Sequence, residues 1–415
     1  PSGHMATPLP VGNWSAPIYD LPSGHMATPL PVGNWSAPIH DLPSGHLPHV
    51  PILGNGYLGL ALGTINAPKG MPYAAKESYN LWYNTNANWE CQDSGKTTPP
   101  AHCAMRALGG LTVGSSALLG VTPPDGAPPT PSVFAAEQRI ESGRLWSRRT
   151  APDGASSLTT LTYMHPTENV AVTEVTFDST NASSNADQAP TGATLEVDVL
   201  LWMYGQGRNT PKQTGADCVT GLAAQPVGQP TSGPGSNDDD LVVCSRRHAP
   251  AKSPAVHTMW SAIALRPSAA SSRLPRTRPV VGNVSTKVDS AFWVRTTYTL
   301  SRGQTLTLVS ALADNLITDS AEDPKPTAAR LATAAQPSAV AAAATAYWRR
   351  FWDTASIELP SRPALRTLWY GAQYALACST PDAAALSRWA QRAPPPALYG
   401  PFASGDFAFW NGDFT

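Results

Sequence analysis

The sequence predicts a mainly β protein, in which a large antiparallel β-sandwich is followed by helices near the C-terminus. The 415 residues suffice for more than one domain and for a large core. Proline (42 residues) and glycine (32 residues) favour many turns and short strands. Apolar residues alternate with a period of two from about residue 50 to residue 318, and helical spacing replaces this pattern afterwards.

The N-terminal region is a tandem repeat. Residues 1–21 and 22–42 differ only at Tyr19 and His40, and the tetrapeptide PSGH returns once more at 43–46. Structural repeats usually diverge while they keep a hydrophobic pattern, so near-identity indicates a recent duplication or a gene-model artefact. The repeat is rich in proline and has no helical period. We therefore expect residues 1–46 to be peripheral or disordered.

Strand patterns assign residues 47–322 to the sandwich domain. Order is expected to begin near Val50, where the Gly-Asn-Gly of PILGNGYLGLALGT predicts a turn before a strand. The clearest alternation, in TLEVDVLLWMY, places on one face Leu195, Val197, Val199, Leu201 and Met203. FWVRTTYTL and TLTLVSAL alternate in the same way. ENVAVTEVTF changes parity between Val172 and Val175, which indicates either a bulge or burial on both faces.

Alanine and leucine dominate the chain after Asp323. Residues 323–361 are predicted to be a helical linker that Pro337 splits into two helices. A third helix is expected to begin near Pro363, at a position where a missing N–H is harmless. One stripe of this helix carries, at helical spacing, Leu365, Leu368, Trp369, Ala372, Ala375 and Leu376. These helices are too few to close a helical barrel.

Composition and motifs exclude several classes of function. The net charge of −1 provides no footprint for nucleic acid, and no apolar run reaches the ~18 residues of a membrane span. There is no P-loop, no GxSxG and no GxGxxG that follows a strand. The aspartate run at 238–240 lacks the spacing of a calcium loop, and His165 has no ligand-type neighbour in sequence. We therefore expect neither a metal nor a cofactor.

Five cysteines occur without any CxxC spacing. Cys91 and Cys103 flank one loop and Cys218 and Cys244 flank another, so each pair is a candidate disulfide. Cys378 lies on an apolar helix face and is predicted to be a buried free thiol.

Sequons for N-glycosylation occur at Asn13, Asn34, Asn181 and Asn283, of which Asn181 and Asn283 fall within the predicted sandwich. Together with the two cysteine pairs they predict a secreted protein or one of the secretory pathway, although no signal peptide is visible after Pro1. The alternative is a cytosolic protein with chance sequons.

Two stretches carry residue types that suit sugars. FASGDFAFWNGDFT ends the sequence with Asp406 and Asp413 on either side of Trp410. Carboxylates serve acid–base chemistry on glycosides, and an indole packs against the apolar face of a pyranose. Taken alone, the stretch fits a loop of solvated carboxylates and packed rings better than a sugar site. YNLWYNTNANWE, with Trp82 and Trp89, allows the same two interpretations, and a structured loop is favoured there.

The order of several motifs resembles the opening half of glycoside hydrolase families 95 and 65. The matching stretches run in order from residue 47 to residue 415: LPHVPILGNGYLGLALGT, LWYNTNANW, LTYMHPTENVAVTEVTF, YWRRFWDTASIELP, LRTLWYGAQYALACS and LYGPFASGDFAFWNGDFT. Family 95 is the more similar, through WNGDFT. The resemblance implies an N-terminal β-sandwich followed by the first helix of an (α/α)6 barrel, so that residues 362–415 begin a catalytic domain.

The resemblance also implies a function, that of an inverting glycosidase of the α-L-fucosidase type acting on an oligosaccharide or glycan. The paired asparagines that position the attacking water align about two residues past Thr415, and the general acid aligns further on. No catalytic residue is therefore transferred, and Trp410, Asn411 and Asp413 match only the rim of the pocket. The expectation is an N-terminal fragment that is inactive by itself. A non-catalytic carbohydrate-binding protein and a fragment of a family-65-like disaccharide phosphorylase stay open. The sequence does not set the oligomeric state.

Overall fold

A computed structural model describes the greater part of residues 51–380. The described residues are 38–39, 51–62, 71–72, 79–85, 89–92, 102–105, 108–118, 132–179, 193–204, 215–221, 240–248, 259–285, 290–315, 323–354, 356–357 and 359–380. The chain divides into two compact units, residues 1–33 and residues 34–415. The first unit lies outside the described residues, so the account that follows concerns the second.

Eighteen strands and three α-helices account for most of the described chain. The strands are β1 (Pro38–Ile39), β2 (Ile52–Gly54), β3 (Leu58–Leu62), β4 (Tyr79–Thr85), β5 (Trp89–Gln92), β6 (His102–Met105), β7 (Gly109–Gly114), β8 (Val133–Arg139), β9 (Arg144–Thr150), β10 (Ser156–Met164), β11 (Val170–Ser179), β12 (Thr194–Tyr204), β13 (Gly215–Thr220), β14 (Val242–His248), β15 (Met259–Pro267), β16 (Val280–Ser285), β17 (Ser290–Ser301) and β18 (Thr305–Asp314). The helices are α1 (Lys325–Ala334), α2 (Pro337–Thr354) and α3 (Pro363–Ser379).

The strands form two large antiparallel sheets, which confirms the predicted fold class of a β-sandwich followed by helices. The 9-stranded sheet has the order β1-β8-β9-β10-β11-β18-β15-β14-β13, and the 7-stranded sheet has the order β16-β17-β12-β7-β4-β3-β2. The alternation in β12 places its five predicted apolar residues in the core between the sheets. The facing strand β18 contributes Leu306, Leu308 and Leu312 to the same core. Each sheet thus buries one face of period-two side chains against the other.

A second apolar layer lies on the opposite face of the 9-stranded sheet. Val172 belongs to this outer layer, whereas Val175 belongs to the core between the sheets. β11 pairs with β10 in unbroken register from Ala171 to Ser179, so the parity change reflects burial on both faces and not a bulge. The outer layer is covered by α1 and α2 through small side chains that let the helices approach the sheet closely: Ala328, Ala329, Ala332 and Val340.

Prolines set the helix boundaries where the sequence predicts them. α1 ends at Ala334 and α2 begins at Pro337, because proline cannot continue the hydrogen-bond pattern of the preceding helix. α3 begins at Pro363. Among the described helices, none has the length and apolar character that crossing a membrane requires.

The buried face of α3 is not the leucine stripe that helical spacing draws attention to. Leu365, Leu368 and Leu376 are 47%, 68% and 52% exposed, respectively. Tyr370 and Tyr374 are buried instead, together with Ala377 and Cys378. Both tyrosine rings contact tryptophans of α2, and the Tyr374 hydroxyl also reaches β2, so the leucines lie on the opposite face of α3.

The structured loop favoured for residues 79–90 is wrong. Residues 79–85 are the strand β4, which pairs with β3 on one side and with β7 on the other, and β5 begins at Trp89. Asparagine disfavours strands only weakly, and pairing on two sides overrides this preference.

In the second repeat copy, Pro38 and Ile39 form the short strand β1 at the edge of the 9-stranded sheet.

The orientation of α3 leads to a stability prediction. Leu308→Ala, in the core between the sheets, should lower the free energy of unfolding by about 2–5 kcal/mol. Leu368→Ala, on the exposed face of α3, should change it by no more than about 0.5 kcal/mol. Urea denaturation followed by tryptophan fluorescence measures both values. A loss from Leu368→Ala as large as that from Leu308→Ala would show that the leucine stripe is packed.

Candidate functional site

The predicted site residues fall into three groups. Trp410, Asn411, Asp413 and the sequon residue Asn181 lie outside the described residues. Asn283 lies on β16 and is exposed. The cysteines are placed by strand pairing, as the next paragraph describes.

Both predicted cysteine pairs lie opposite each other on antiparallel strands. Cys218 of β13 and Cys244 of β14 are direct partners in the register and form a disulfide. Cys91 of β5 and Cys103 of β6 are also direct partners in the register. Their side chains lie outside what the structure describes, so a bond between Cys91 and Cys103 stays a prediction. Cys378 is a buried free thiol.

The described element that leads toward the predicted sugar segment is α3, which ends at Ser379. We call its contact region the helix junction. The helix junction consists of α3, the second half of α2, the turn between β2 and β3, and the turn between β8 and β9. Its geometry decides where the chain that follows Thr380 starts.

Four aromatic rings form the centre of the helix junction. Trp348 of α2 stacks on Tyr374 of α3 with ring centroids 4.7 Å apart, and Trp352 lies 5.4 Å from Tyr370. Trp348 and Trp352 stack on each other at 6.0 Å. All four side chains are buried, so the two helices are held together by a large apolar contact whose rings favour offset and tilted arrangements.

The polar ends of these rings tie the cluster to the sandwich. The Trp352 Nε1–H donates to the Ile140 carbonyl at 3.1 Å, at the end of β8. The Tyr374 hydroxyl donates to the Ile52 carbonyl of β2 at 2.9 Å. Because buried indole N–H and phenol O–H groups require partners, these bonds fix the angle at which the helices meet the sheets.

The turn between β2 and β3 receives the last turn of α3. The Gly56 N–H donates to the Cys378 carbonyl at 3.0 Å, which satisfies one carbonyl at the helix C-terminus. Gly56 has φ = 82°, a backbone conformation that glycine adopts without strain. Gly54 lies against the same carbonyl, and a Cβ atom built there would overlap the Cys378 oxygen. The two glycines of the Gly-Asn-Gly motif therefore allow the backbone of this turn to contact the backbone at the end of α3.

Asn55 connects this turn to the turn between β10 and β11. Its side-chain oxygen accepts from the backbone N–H groups of Tyr57 at 3.1 Å and Leu58 at 2.9 Å. Its side-chain nitrogen donates to the Glu168 carbonyl at 3.0 Å and to the Asn169 side-chain oxygen at 3.3 Å. Asn55 is 3% exposed, and these bonds satisfy its buried amide.

His165 organises the second turn from within. Its Nδ1 accepts from the backbone N–H groups of Thr167 at 3.3 Å and Glu168 at 3.0 Å. An accepting Nδ1 places the proton of the neutral imidazole on Nε2. The ring therefore acts as a turn-forming group, in agreement with the structural role expected from its isolation in sequence.

A buried carboxylate lies beyond the same turns. The Tyr57 hydroxyl donates to Asp314 Oδ2 at 2.6 Å, and Asp314 is 1% exposed. Burial, followed by the neighbouring Asp314 charge, raises the pKa of Tyr57 well above its ordinary value. Ser261 separates Asp314 from the buried Arg246 in the strand register. Sequence reasoning missed this group, although an aspartate that ends the apolar strand TLTLVSALAD is a usable signal.

Burial at the helix junction raises the pKa values of two side chains, Cys378 and Tyr374, and so keeps both neutral. Burial raises the pKa of the Cys378 thiol to about 12, although hydrogen bonds with Tyr374 and Gly54 lower it. Burial also raises the pKa of Tyr374 well above its ordinary value, and Cys378 adds to this shift. A thiol of this kind is not a nucleophile at neutral pH.

A row of tryptophan and glycine crosses the outer face of the 7-stranded sheet. Strand register places side by side Gly282, Trp293, Trp202, Gly110 and Trp82. A Cβ atom at Gly282 would overlap the Trp293 ring, and one at Gly110 would overlap the Trp202 ring. The glycines thus leave room for indoles to lie across neighbouring strands. Trp202 is 0% exposed and donates from Nε1 to Thr112 Oγ1 at 3.1 Å, whereas Trp293 is half-buried.

The described residues supply no evident acid–base centre for glycosides. Among them, no group of three or more His, Cys, Asp or Glu side chains could hold a metal ion. The carboxylate of Asp314, the imidazole of His165 and the thiol of Cys378 all serve internal contacts. In the part of the chain that the structure describes, the helix junction is thus a support that positions α3.

No protein-family model matches the chain, and no curated protein matches it. Solved structures show a distant likeness. A candidate kojibiose phosphorylase from the human microbiome is 10% identical, with a TM-score of 0.46, over 79% of this chain and 38% of its own. A bacterial glucoamylase bound to acarbose is 10% identical, with a TM-score of 0.39, over 83% of this chain and 42% of its own.

The family GH92 inverting mannosidase from Bacteroides thetaiotaomicron is 12% identical, with a TM-score of 0.37, over 79% of this chain and 36% of its own. The chain therefore spans about two fifths of the length of the solved proteins it resembles. All three TM-scores are below 0.5, so the fold is assigned from the strands and helices described above and not from these likenesses.

The contact between Gly54 and α3 can be tested by adding one methyl group. Gly54→Ala should lower the free energy of unfolding by about 2–4 kcal/mol, because its Cβ would overlap backbone and not a flexible side chain. Gly154→Ala is the control, since Gly154 has φ = 69° and a Cβ atom built there would meet nothing within 4 Å. In the control, the free energy of unfolding should fall only by the cost of holding alanine in the left-handed conformation, about 1–2 kcal/mol.

Alkylation of Cys378 at neutral pH, mapped by peptide mass spectrometry, distinguishes local displacement of α3 from a general loss of stability. It should accelerate in Gly54→Ala and stay slow in Gly154→Ala. Equal alkylation rates in the two variants would show that Gly54 does not position α3.

The Cys378 thiol should make the protein sensitive to alkaline pH. Below the ordinary thiol pKa of about 8.5, the folded and unfolded chains both hold the proton. Above it the unfolded chain loses the proton, while the folded chain keeps it up to about pH 12. In this window the thiol alone should lower the free energy of unfolding by about 1.4 kcal/mol per pH unit.

Cys378→Ala should remove this contribution and reduce the slope by about 1.4 kcal/mol per pH unit between about pH 9 and pH 10, below the pH at which tyrosines of the unfolded chain ionise. Ser379→Ala, next to it on α3, should keep the slope of the parent chain. Urea titrations at intervals of half a pH unit give both slopes. A slope in Cys378→Ala that equals the parent's would exclude a buried, protonated thiol.

Proposed function

We propose that the chain is part of a carbohydrate-active enzyme of the glycoside hydrolase type, in which the sandwich supports a helical region that carries the sugar site. In this proposal Trp410, Asn411 and Asp413 form the rim of the sugar pocket. The favoured activity of the whole enzyme is that of an inverting α-L-fucosidase. No catalytic residue is assigned within these 415 residues, and the chain alone is expected to be inactive.

The observation that carries the proposal is the fixed attachment of α3 to the sandwich. Aromatic stacking with α2 and the Gly56–Cys378 hydrogen bond hold the last turn of α3 against the turn between β2 and β3. The segment that contains Trp410 follows this helix in sequence. A sugar site needs its groups held within a fraction of an ångström, and such a site requires a rigid support.

A second candidate function is non-catalytic carbohydrate binding on the outer face of the 7-stranded sheet. The observation that favours it is the adjacent pair Trp293 and Trp202, flanked by Gly282 and Gly110, in which Trp293 is half-buried and not fully covered. Indole faces suit the apolar faces of pyranose rings. The complete burial of Trp202 argues that part of this row serves packing.

Binding measurements on matched variants distinguish the two candidates. The full chain is titrated by calorimetry with an α-L-fucosyl, an α-galactosyl and an α-glucosyl oligosaccharide. Under the main proposal, Trp410→Ala and Asp413→Asn each weaken binding by about tenfold, equivalent to about 1.4 kcal/mol. Asp406→Asn, a matched change in the same segment, and Trp293→Ala leave the affinity unchanged.

The opposite pattern, with loss only in Trp293→Ala, would replace the main proposal with the second candidate. Absence of binding to all three sugars would exclude both. Incubation of the same chain with each sugar, with and without inorganic phosphate, should release no monosaccharide and no sugar phosphate. Clear turnover would contradict the expectation that the catalytic residues lie outside this sequence, and a dependence on phosphate would identify a phosphorylase.

A further inference from the structure

The strand β16 lies at one end of the 7-stranded sheet. It pairs with β17 from Val280 opposite Arg295 to Ser285 opposite Ser290, and among the described strands no second one pairs with it. One edge of β16 therefore presents backbone N–H and C=O groups without a strand partner in the sheet. Such edges are templates on which another chain can pair.

The sequence of β16 lacks the usual protection of an edge strand. Natural edges carry charged side chains, proline or a bulge. VVGNVS contains no charged residue and no proline, and its register with β17 is unbroken. Val280 and Val281 are 47% and 55% exposed, so the edge is apolar as well as unpaired. Pro279 precedes the strand, and the pairing register shifts by one residue between Arg276 opposite Tyr298 and Val280 opposite Arg295. Such protection therefore lies before β16 and not within it.

Asn283 stands on this edge within the sequon Asn283-Val284-Ser285. Its side chain is exposed. The adjacent Gly282 lies against the Trp293 ring, which covers that face of the strand. Because successive side chains of a strand point to opposite faces, Asn283 points away from this indole. That face is the inner face of the sheet, but β16 is at the end of the strand order and the Asn283 side chain is exposed there, so the acceptor amide is accessible.

We propose that Asn283 carries an N-linked glycan that caps the unpaired edge of β16. The donor is an oligosaccharide attached through a diphosphate to a lipid. The Asn283 Nδ2 forms a bond to the anomeric carbon, the bond between that carbon and the diphosphate oxygen breaks, and the diphosphate leaves with one amide proton. A bulky, solvated glycan at this position obstructs the approach of a second strand. The inference depends on passage through the secretory pathway and not on the proposed enzymatic function.

The first test measures occupancy of Asn283. The full chain is produced in a eukaryotic secretory host and treated with an amidase that releases N-glycans in ¹⁸O-labelled water, which converts each occupied asparagine to labelled aspartate. Peptide mass spectrometry should find the label at residue 283. Asn283→Gln and Ser285→Ala should lose this glycan, and Ser285→Thr, which keeps the sequon, should retain it. An unlabelled residue 283 in the secreted chain would overturn the proposal.

The second test measures whether the glycan caps the edge. Light scattering on the folded, glycosylated chain should give the mass of a single chain plus the glycans at its occupied sequons. Ser285→Ala, which removes the glycan at Asn283 and leaves the other three sequons intact, should about double the molar mass as the edges pair. Adding Val281→Lys to Ser285→Ala should restore the single-chain mass, because a charged edge resists pairing.

The matched control is Leu368→Lys combined with Ser285→Ala, since Leu368 is also apolar and exposed but lies on α3. This control should stay associated. Rescue by Leu368→Lys in place of Val281→Lys would locate association on α3 and would contradict the cap. A single-chain mass for Ser285→Ala would contradict it as well.

Discussion

The burial of β11, β18 and β15 on both faces is the constraint on which the rest of the structure depends. One face of these central strands packs against the 7-stranded sheet, and the other packs against α1 and α2. The buried side chains of these strands are mainly apolar on both faces, as Val172 and Val175 illustrate, and the buried Asp314 of β18 accepts a hydrogen bond from Tyr57. The inner face joins the two sheets, and the outer face gives the helices their docking surface. A polar residue without a hydrogen-bond partner on either face would weaken both layers, because the same strands support each of them.

The helix junction uses different chemistry from these layers. α1 approaches the sheet through alanines, which allows a broad contact of backbone against strand. α3 touches the sandwich mainly at its end, where Gly54 and Gly56 admit the Cys378 carbonyl and Tyr374 reaches Ile52. A contact this small is held by directional bonds and stacked rings more than by area. The orientation of α3 therefore depends on a few atoms, while the sandwich depends on many.

Local patterns in the sequence predict most of the strands and helices of this fold, but they do not predict which faces of those elements contact each other. The alternation in β12 identifies its buried residues because one face of that strand is in the core. Helical spacing groups Leu365, Leu368 and Leu376 correctly, yet it does not tell which face of α3 is buried. That choice is made by Trp348 and Trp352, which lie on another helix. Likewise, the tryptophan and glycine row joins residues from strands far apart in sequence, so no local pattern contains it.

The predicted sugar residues lie outside the described chain, and the described polar groups explain why the site is not found among them. Asn55 and His165 use their hydrogen-bonding atoms to hold two turns together. Asp314 accepts from Tyr57 in a buried position, where a carboxylate has no path to a substrate. Cys378 stays protonated because of burial. Groups committed to internal contacts cannot exchange protons with a bound sugar without weakening the support itself. In the proposed enzyme, acid–base chemistry on a glycoside therefore requires groups other than these, held by the frame that these residues build.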